Sequence, residues 1–301
     1  MNLKNSFLFI FTFIFFSCNT IEEKEEYLID IEQFNNLSRK KNVKIIDFRK
    51  KSEFEKGHVK NAINIWRRDI EDASYPYGGM MASKIQLETL FSNLGINNND
   101  LLLVYDDKGL CDAARLWWVL QYYNFKNVKL LNGGLKTLET ANVTMTIESI
   151  SYPKSSFSLD NGIDKTMFAS KEQIESAVKN NLNILDTRTT DEYSGKYIKK
   201  GAFKAGRIPN SKLIDWANAI HYNGDKKLKS TEILQQIYSN KSYNVNDTLF
   251  VYCHSGVRSA HTTFVLTQVL GFKNVFNYDG SWTEWSYHKD APIEIDSIKT
   301  N

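Results

Sequence analysis

Cys253, Arg258 and Ser259 lie close together in the run Cys253-His-Ser-Gly-Val-Arg258-Ser259, and each can do chemistry on an anion. The apolar run Leu249-Phe-Val-Tyr252 precedes them and reads as a buried strand. Behind them Phe264, Leu266, Val269 and Leu270 recur at helical spacing up to Gly271, a natural C-terminal stop. The expected unit is strand, tight loop, helix, with Cys253 at the strand's end and Ser259 near the helix start. A loop that opens a helix aims several backbone N–H groups at one point, and the helix dipole adds positive potential there. A cysteine in that field has its thiolate stabilised, and the thiolate is the reactive form. Arg258 adds a full positive charge that can face an anionic substrate.

Four residues, His254, Ser255, Gly256 and Val257, separate the cysteine from the arginine. Cysteine phosphatases place one residue more in that interval, and the position where their arginine would fall is Ser259. The shorter loop makes a smaller cradle, better matched to one sulfur atom than to a phosphate. The segment resembles the active-site loop of the rhodanese family, sulfurtransferases that carry sulfur as a cysteine persulfide. Val275-Phe-Asn-Tyr-Asp-Gly280-Ser-Trp282-Thr-Glu-Trp285 resembles the stretch that follows this loop in two-domain members.

That resemblance implies a fold and a reaction. The expected fold class is α/β: two tandem rhodanese-like domains, each a mostly parallel sheet with helices on both faces. Cys253 would attack a small anionic donor, thiosulfate or 3-mercaptopyruvate, and pass the sulfur to a thiophilic acceptor, cyanide or a thiol. Loop residues His254, Ser255, Gly256, Val257, Arg258 and Ser259 would bind the substrate, and Arg188 could also reach it. No cofactor or metal is implied. Two other readings stay open: a non-enzymatic module that binds or delivers an anion or sulfide species, and a cysteine phosphatase or arsenate reductase.

The elements that must position this loop occur twice. Lys44-Ile-Ile-Asp47-Phe-Arg49, followed by Gly57-His58, is matched by Asn183-Ile-Leu-Asp186-Thr-Arg188, followed by Gly206-Arg207. Leu102-Leu-Val-Tyr105-Asp106-Asp-Lys-Gly109 is matched by Leu249-Phe-Val-Tyr252-Cys253-His-Ser-Gly256, and Asn132-Gly133-Gly134 by Asp279-Gly280-Ser281. The last two pairs share one offset, so the chain is a duplication. The second copy gained residues between its motifs, chiefly around 194–204. Each copy alternates apolar runs with helical patterns, which implies parallel pairing. Asp106 stands where Cys253 would be, and a carboxylate cannot form a persulfide, so the first copy should be chemically silent. Cys111 aligns with Arg258 and reads as a packed small hydrophobe. Asp47 with Arg49, and Asp186 with Arg188, read as buried pairs pinning strand ends. His254 reads mainly as a backbone donor whose ring could tune the thiolate. Trp117, Trp118, Trp282 and Trp285 read as packing.

The domain boundaries follow: residues 1–17 signal peptide, 18–26 tether, 27–147 silent domain, 148–165 linker with Pro153 and a serine cluster, and 166–298 catalytic domain. Lys4 precedes an apolar run at 7–16 that is too short to span a bilayer but fits a signal peptide's core. Ser17-Cys18 resembles the lipobox of bacterial lipoproteins, in which the cysteine is acylated. The expected location is the bacterial cell envelope, periplasmic or surface side, with the membrane met through lipid on Cys18. The chain has 301 residues, net charge +3 and no basic block, which argues against nucleic acid as a partner. Three cysteines, one of them assigned to lipid, leave no disulfide framework. Nothing in the sequence asks for a second copy, and a monomer is expected.

Overall fold

The computed structural model describes residues 26–296. The expected signal segment and Cys18 lie outside the described residues. The first copy runs β1 (Leu28–Ile29), α1 (Ile31–Leu37), β2 (Val43–Asp47), α2 (Lys51–Phe54), β3 (His58–Val59), β4 (Ile63–Asn64), α3 (Lys84–Asn93), β5 (Leu101–Tyr105), α4 (Cys111–Tyr122), β6 (Val128–Leu131), α5 (Gly134–Thr140) and β7 (Met145–Thr146). The second runs β8 (Phe168–Ala169), α6 (Lys171–Lys179), β9 (Asn183–Asp186), α7 (Thr190–Ser194), β10 (Ser211–Leu213), α8 (Thr231–Ser239), β11 (Thr248–Tyr252), α9 (Val257–Phe264), β12 (Asn274–Tyr278) and α10 (Ser281–Tyr287).

The sheet orders are β1-β6-β5-β2-β4 and β10-β9-β11-β12-β8, the same arrangement read from opposite edges. Every pairing inside both five-stranded sheets is parallel, whereas β3 pairs antiparallel with β7. The duplication read from motifs is therefore a duplication of topology. In each sheet the central strand, β5 or β11, ends at the candidate loop, and its neighbours hold it on both sides.

The Asp-x-Arg motifs pin those strand ends as the sequence implied. Arg188 donates from Nε and Nη2 to Asp186 at 2.6–3.0 Å and to the Gly206 carbonyl at 2.9 Å. Arg49 repeats this on Asp47 and the Gly57 carbonyl. A tyrosine completes each set: Tyr252 donates to Asp186 at 2.6 Å and Tyr105 to Asp47 at 2.5 Å. His58 is also structural, stacked on Phe54 with Nδ1 on the Phe54 carbonyl. Arg207, its counterpart, pairs with Glu294 and Asp296.

One apolar cluster spans both copies, and each copy keeps a second cluster of its own. Helices α4 and α9 pack face to face across the domain boundary, with Trp117 edge-on to Phe264 at 4.9 Å. Such a ring pair contributes about 0.5–1.5 kcal/mol beyond the area it buries. The stretch expected as a linker, 148–165, is tied down rather than loose. Phe157 is buried against Phe91 and Phe125, and Ser155 N–H donates to the Ser92 carbonyl. The helix expected to run to Gly271 stops at Phe264 and continues as a π-helical turn, Val265–Val269. The Thr267 hydroxyl takes the Thr263 carbonyl, which competes with the regular ladder there.

Candidate active site

Cys253 sits one residue past β11, and the loop turns into α9 through Gly256 at φ +73°. A Cβ at Gly256 would lie 2.6 Å from the Asp279 carbonyl oxygen and 2.7 Å from Arg115 Nη1, so glycine is required twice over. Ser281 supports the loop from beneath. Its Oγ accepts from the N–H of Cys253 at 3.1 Å and of Gly256 at 3.0 Å, and donates to the Tyr278 carbonyl at 2.8 Å.

Around the sulfur, burial alone would push the thiol pKa up, for Cys253 is 1 % exposed. The Arg258 charge, the Ser259 hydroxyl at 3.5 Å and the N–H groups of Ser259 and Ser255 outweigh it and bring the thiol below its ordinary value. This is a thiolate cradle of the kind that activates cysteine. Cys111 shows the opposite balance: burial, then the neighbouring Asp112 charge, drives its thiol well up.

The silent copy shows what such a loop holds. Asp106 is fully buried, and its two oxygens accept the N–H groups of Lys108, Leu110, Asp112 and Ala113 at 2.8–3.1 Å. By the repeat offset those donors correspond to Ser255, Val257, Ser259 and Ala260. The first loop is thus an anion cradle filled by its own carboxylate. In the second, the corresponding N–H groups of Ser255 and Ser259 act on the Cys253 sulfur instead. Burial, then Asp112, raises the Asp106 carboxyl to about 6 against the pull of those N–H groups.

Arg258 is placed differently from the sequence expectation. Both Nη atoms are taken by Glu192, at 2.6 and 2.8 Å, so its charge reaches the thiolate while its fork is occupied. Glu192 belongs to a capping box with Thr189 at the start of α7. Burial would raise its carboxyl, but Arg258 holds it down at about 2. Arg188 is not brought to the sulfur, since Asp186 and Gly206 occupy it at the strand end. His254 turns its ring away, with Nε2 3.1 Å from the Lys200 carbonyl. Burial first, then Lys199 and Arg258, lowers its pKa to about 4, so the ring is neutral at ordinary pH. Ser255, Gly256, Val257 and Ser259 form the loop itself.

Two contributors escaped the sequence reading. Lys199, half-buried in the segment gained by the second copy, lies within electrostatic reach of Cys253, Arg258, Glu192 and Arg67. Burial and the neighbouring Arg258 lower its pKa, and no carboxylate lies within ion-pair distance of its amine among the described residues. The signal was available: 194–204 is an insertion confined to the copy with the cysteine, and it carries Lys196, Lys199, Lys200 and Lys204. The other contributor is the silent domain. Its 72–81 segment straps over the loop: Gly79 (φ +101°) packs directly on Ser255, Tyr77 Oη donates to Glu284 at 2.9 Å, and Met81 N–H donates to Asp279. Arg115 of α4 reaches across to Asp279 at 2.6 Å and to the Gly79 carbonyl at 2.8 Å.

The sequence profile of the Rhodanese-like domain matches residues 30–141 and 170–288. A Mycolicibacterium smegmatis protein named as a thiosulfate sulfurtransferase is 32% identical over 270 residues, covering 87% of this chain and 95% of that protein. A Thermus thermophilus protein named sulfur carrier protein TtuD is 34% identical over 250 residues, covering 80% and 86%. Among solved structures, the 3-mercaptopyruvate sulfotransferase SseA of Escherichia coli superposes with a TM-score of 0.75 at 21% identity, covering 86% of this chain and 99% of that one. The Tum1 protein of Saccharomyces cerevisiae superposes with a TM-score of 0.77 at 20% identity, covering 90% and 98%.

Proposed function

Since this chain belongs to the rhodanese family, with both copies of the domain present, we propose that it is a sulfurtransferase working through a persulfide on Cys253. The observation that carries the reading is the pair of cradles: one filled by the Asp106 carboxylate, the other turning its N–H groups and the Arg258 charge on the Cys253 sulfur and lowering its thiol pKa. The Cys253 thiolate attacks the outer sulfur of thiosulfate. The donor's S–S bond breaks, sulfite leaves with the electron pair, and a new S–S bond forms on Cys253. Cyanide or a thiolate then attacks the outer sulfur, and the Cys253 thiolate is restored. Donor oxyanions meet Lys199, which lies within electrostatic reach of the sulfur, while Arg258 lowers the thiol pKa from its place on Glu192. 3-Mercaptopyruvate is the other donor.

A phosphatase is disfavoured because four residues separate Cys253 from Arg258, one fewer than in cysteine phosphatases, and Glu192 already occupies the Arg258 fork. A pure binding module has no use for a lowered thiol pKa. Initial rates at several cyanide concentrations are expected to give parallel double-reciprocal lines against thiosulfate. Intersecting lines would require both substrates bound at once and would remove the persulfide route.

A monomer is the reading we favour; it is supported by the strap and Arg115 that complete the site coming from the same chain. The protein is held in the bacterial cell envelope by lipid on Cys18. No helix among the described residues is long and apolar enough to cross a membrane. Cys18→Ser is expected to move the protein from the membrane fraction to the soluble one; retention would point to an uncleaved anchor at 7–16.

A further inference from the structure

Far from the thiolate, at the opposite end of the first sheet, Arg39, Lys40, Lys41, Lys44 and Lys60 line a cleft of about 620 Å³ with no carboxylate in its wall. None of the five has an ion-pair partner among the described residues. Lys44 lies over the ring of Tyr152 at 3.7 Å, and Ile147 and Ile150, in the segment leading to that ring, are exposed. The fold does not require these charges. The matching turn of the second copy, from Lys179 to Asn183, reads Lys-Asn-Asn-Leu-Asn, with one cation where Arg39 to Lys44 has four.

Topology says what this end faces. All five strands are parallel, so their starts share one end, and both Glu26, just before β1, and the turn before β2 lie there. β1 is three strands from β2, about 15 Å at the usual strand spacing. Seven residues separate Cys18 from Glu26, and the eight steps between their Cα atoms reach at most about 29 Å. The described chain therefore begins at the same end of the sheet as the cleft. The cysteine-bearing and Asp106 loops sit at the ends of their strands instead.

We propose that this cleft docks the phosphate headgroups of anionic membrane phospholipid, setting the strand-start end of the silent domain against the bilayer. Unpaired lysines supply attraction that falls off within a Debye length, and the exposed isoleucines with Tyr152 fit the apolar-to-polar boundary. The orientation rests on the lipid attachment proposed at Cys18; the affinity does not.

The test uses the full chain carrying Cys18→Ser, so that acylation does not enter. Binding is measured to phosphatidylcholine vesicles with and without about 30 mol% phosphatidylglycerol, a typical anionic fraction for such assays. The expected result is binding at least about tenfold tighter to the anionic vesicles, weakened by salt. Lys40→Glu with Lys41→Glu and Lys60→Glu should remove that preference while leaving phosphatidylcholine binding unchanged. The same three positions as Gln should give an intermediate loss, and charge reversal at Lys226, Lys227 and Lys229 should have no effect. A preference equal in the wild type and the Glu variant would overturn the proposal. So would loss of the preference on adding millimolar inorganic phosphate, which would mark a site for free anions.

Discussion

Cys253→Ser is expected to reduce thiosulfate-to-cyanide transfer on the order of 10³-fold or more, because no other group in the cradle can carry sulfur. The melting temperature should stay close to wild type. The loop's shape comes from Gly256, from Ser281 Oγ and from the N–H groups of the α9 start rather than from the sulfur. Cys111→Ser provides the contrast. Burial and Asp112 hold that thiol protonated, and it sits at the start of α4 in the silent copy, so most activity should survive. A hydroxyl buried there should cost about 1–3 kcal/mol of stability. Equal loss of activity in the two variants would contradict a single nucleophile.

Arg258→Ala should have the second largest effect, on stability and reactivity together. Removing the guanidinium leaves the Glu192 carboxylate buried without its partner, a change expected to cost about 3–5 kcal/mol. The pH dependence has a definite sign. Glu192 is held at about 2 against an ordinary 4.5, so the pair's contribution is fully present above about 4.5. It is lost as pH falls from there through about 2, and the gap between wild type and variant should close over that window. The Cys253 thiol also loses the positive charge that lowers it most, so the pH profile of its alkylation should move upward. Arg258→Lys should keep part of the charge effect and lose the two-pronged bond. Combining Glu192→Gln with Arg258→Ala should recover stability without restoring the alkylation profile. Denaturation and alkylation measured across pH would check both arms; unchanged alkylation in the alanine variant would show that Arg258 does not act on the sulfur.

The parts of this molecule legible in the sequence are those written locally. Strand, loop and helix around Cys253 follow from a short apolar run, a glycine and helical spacing, and the repeat exposes Asp106 as the silent counterpart. Asp186 with Arg188 is a two-residue relation, and its structural role is likewise local. What stays hidden depends on contacts between distant positions. Glu192 reaches Arg258 from 66 residues away, and Arg115 reaches Asp279 from 164. Nothing in the spacing of either arginine shows that its fork is already occupied. Lys199 is intermediate: the insertion was visible, but only the fold brings it within electrostatic reach of Cys253. The π-helical turn after α9 was also invisible, since apolar spacing cannot distinguish it from the helix it continues.

The central claim is that sulfur rests on Cys253 between donor and acceptor. Intact-mass measurement of the protein after thiosulfate, before any acceptor is added, tests it most directly. The account predicts a gain of one sulfur atom, mapped to the peptide bearing Cys253, absent in Cys253→Ser and removed by cyanide. A chain that forms thiocyanate yet never gains that mass, or gains it on Cys111, would contradict it.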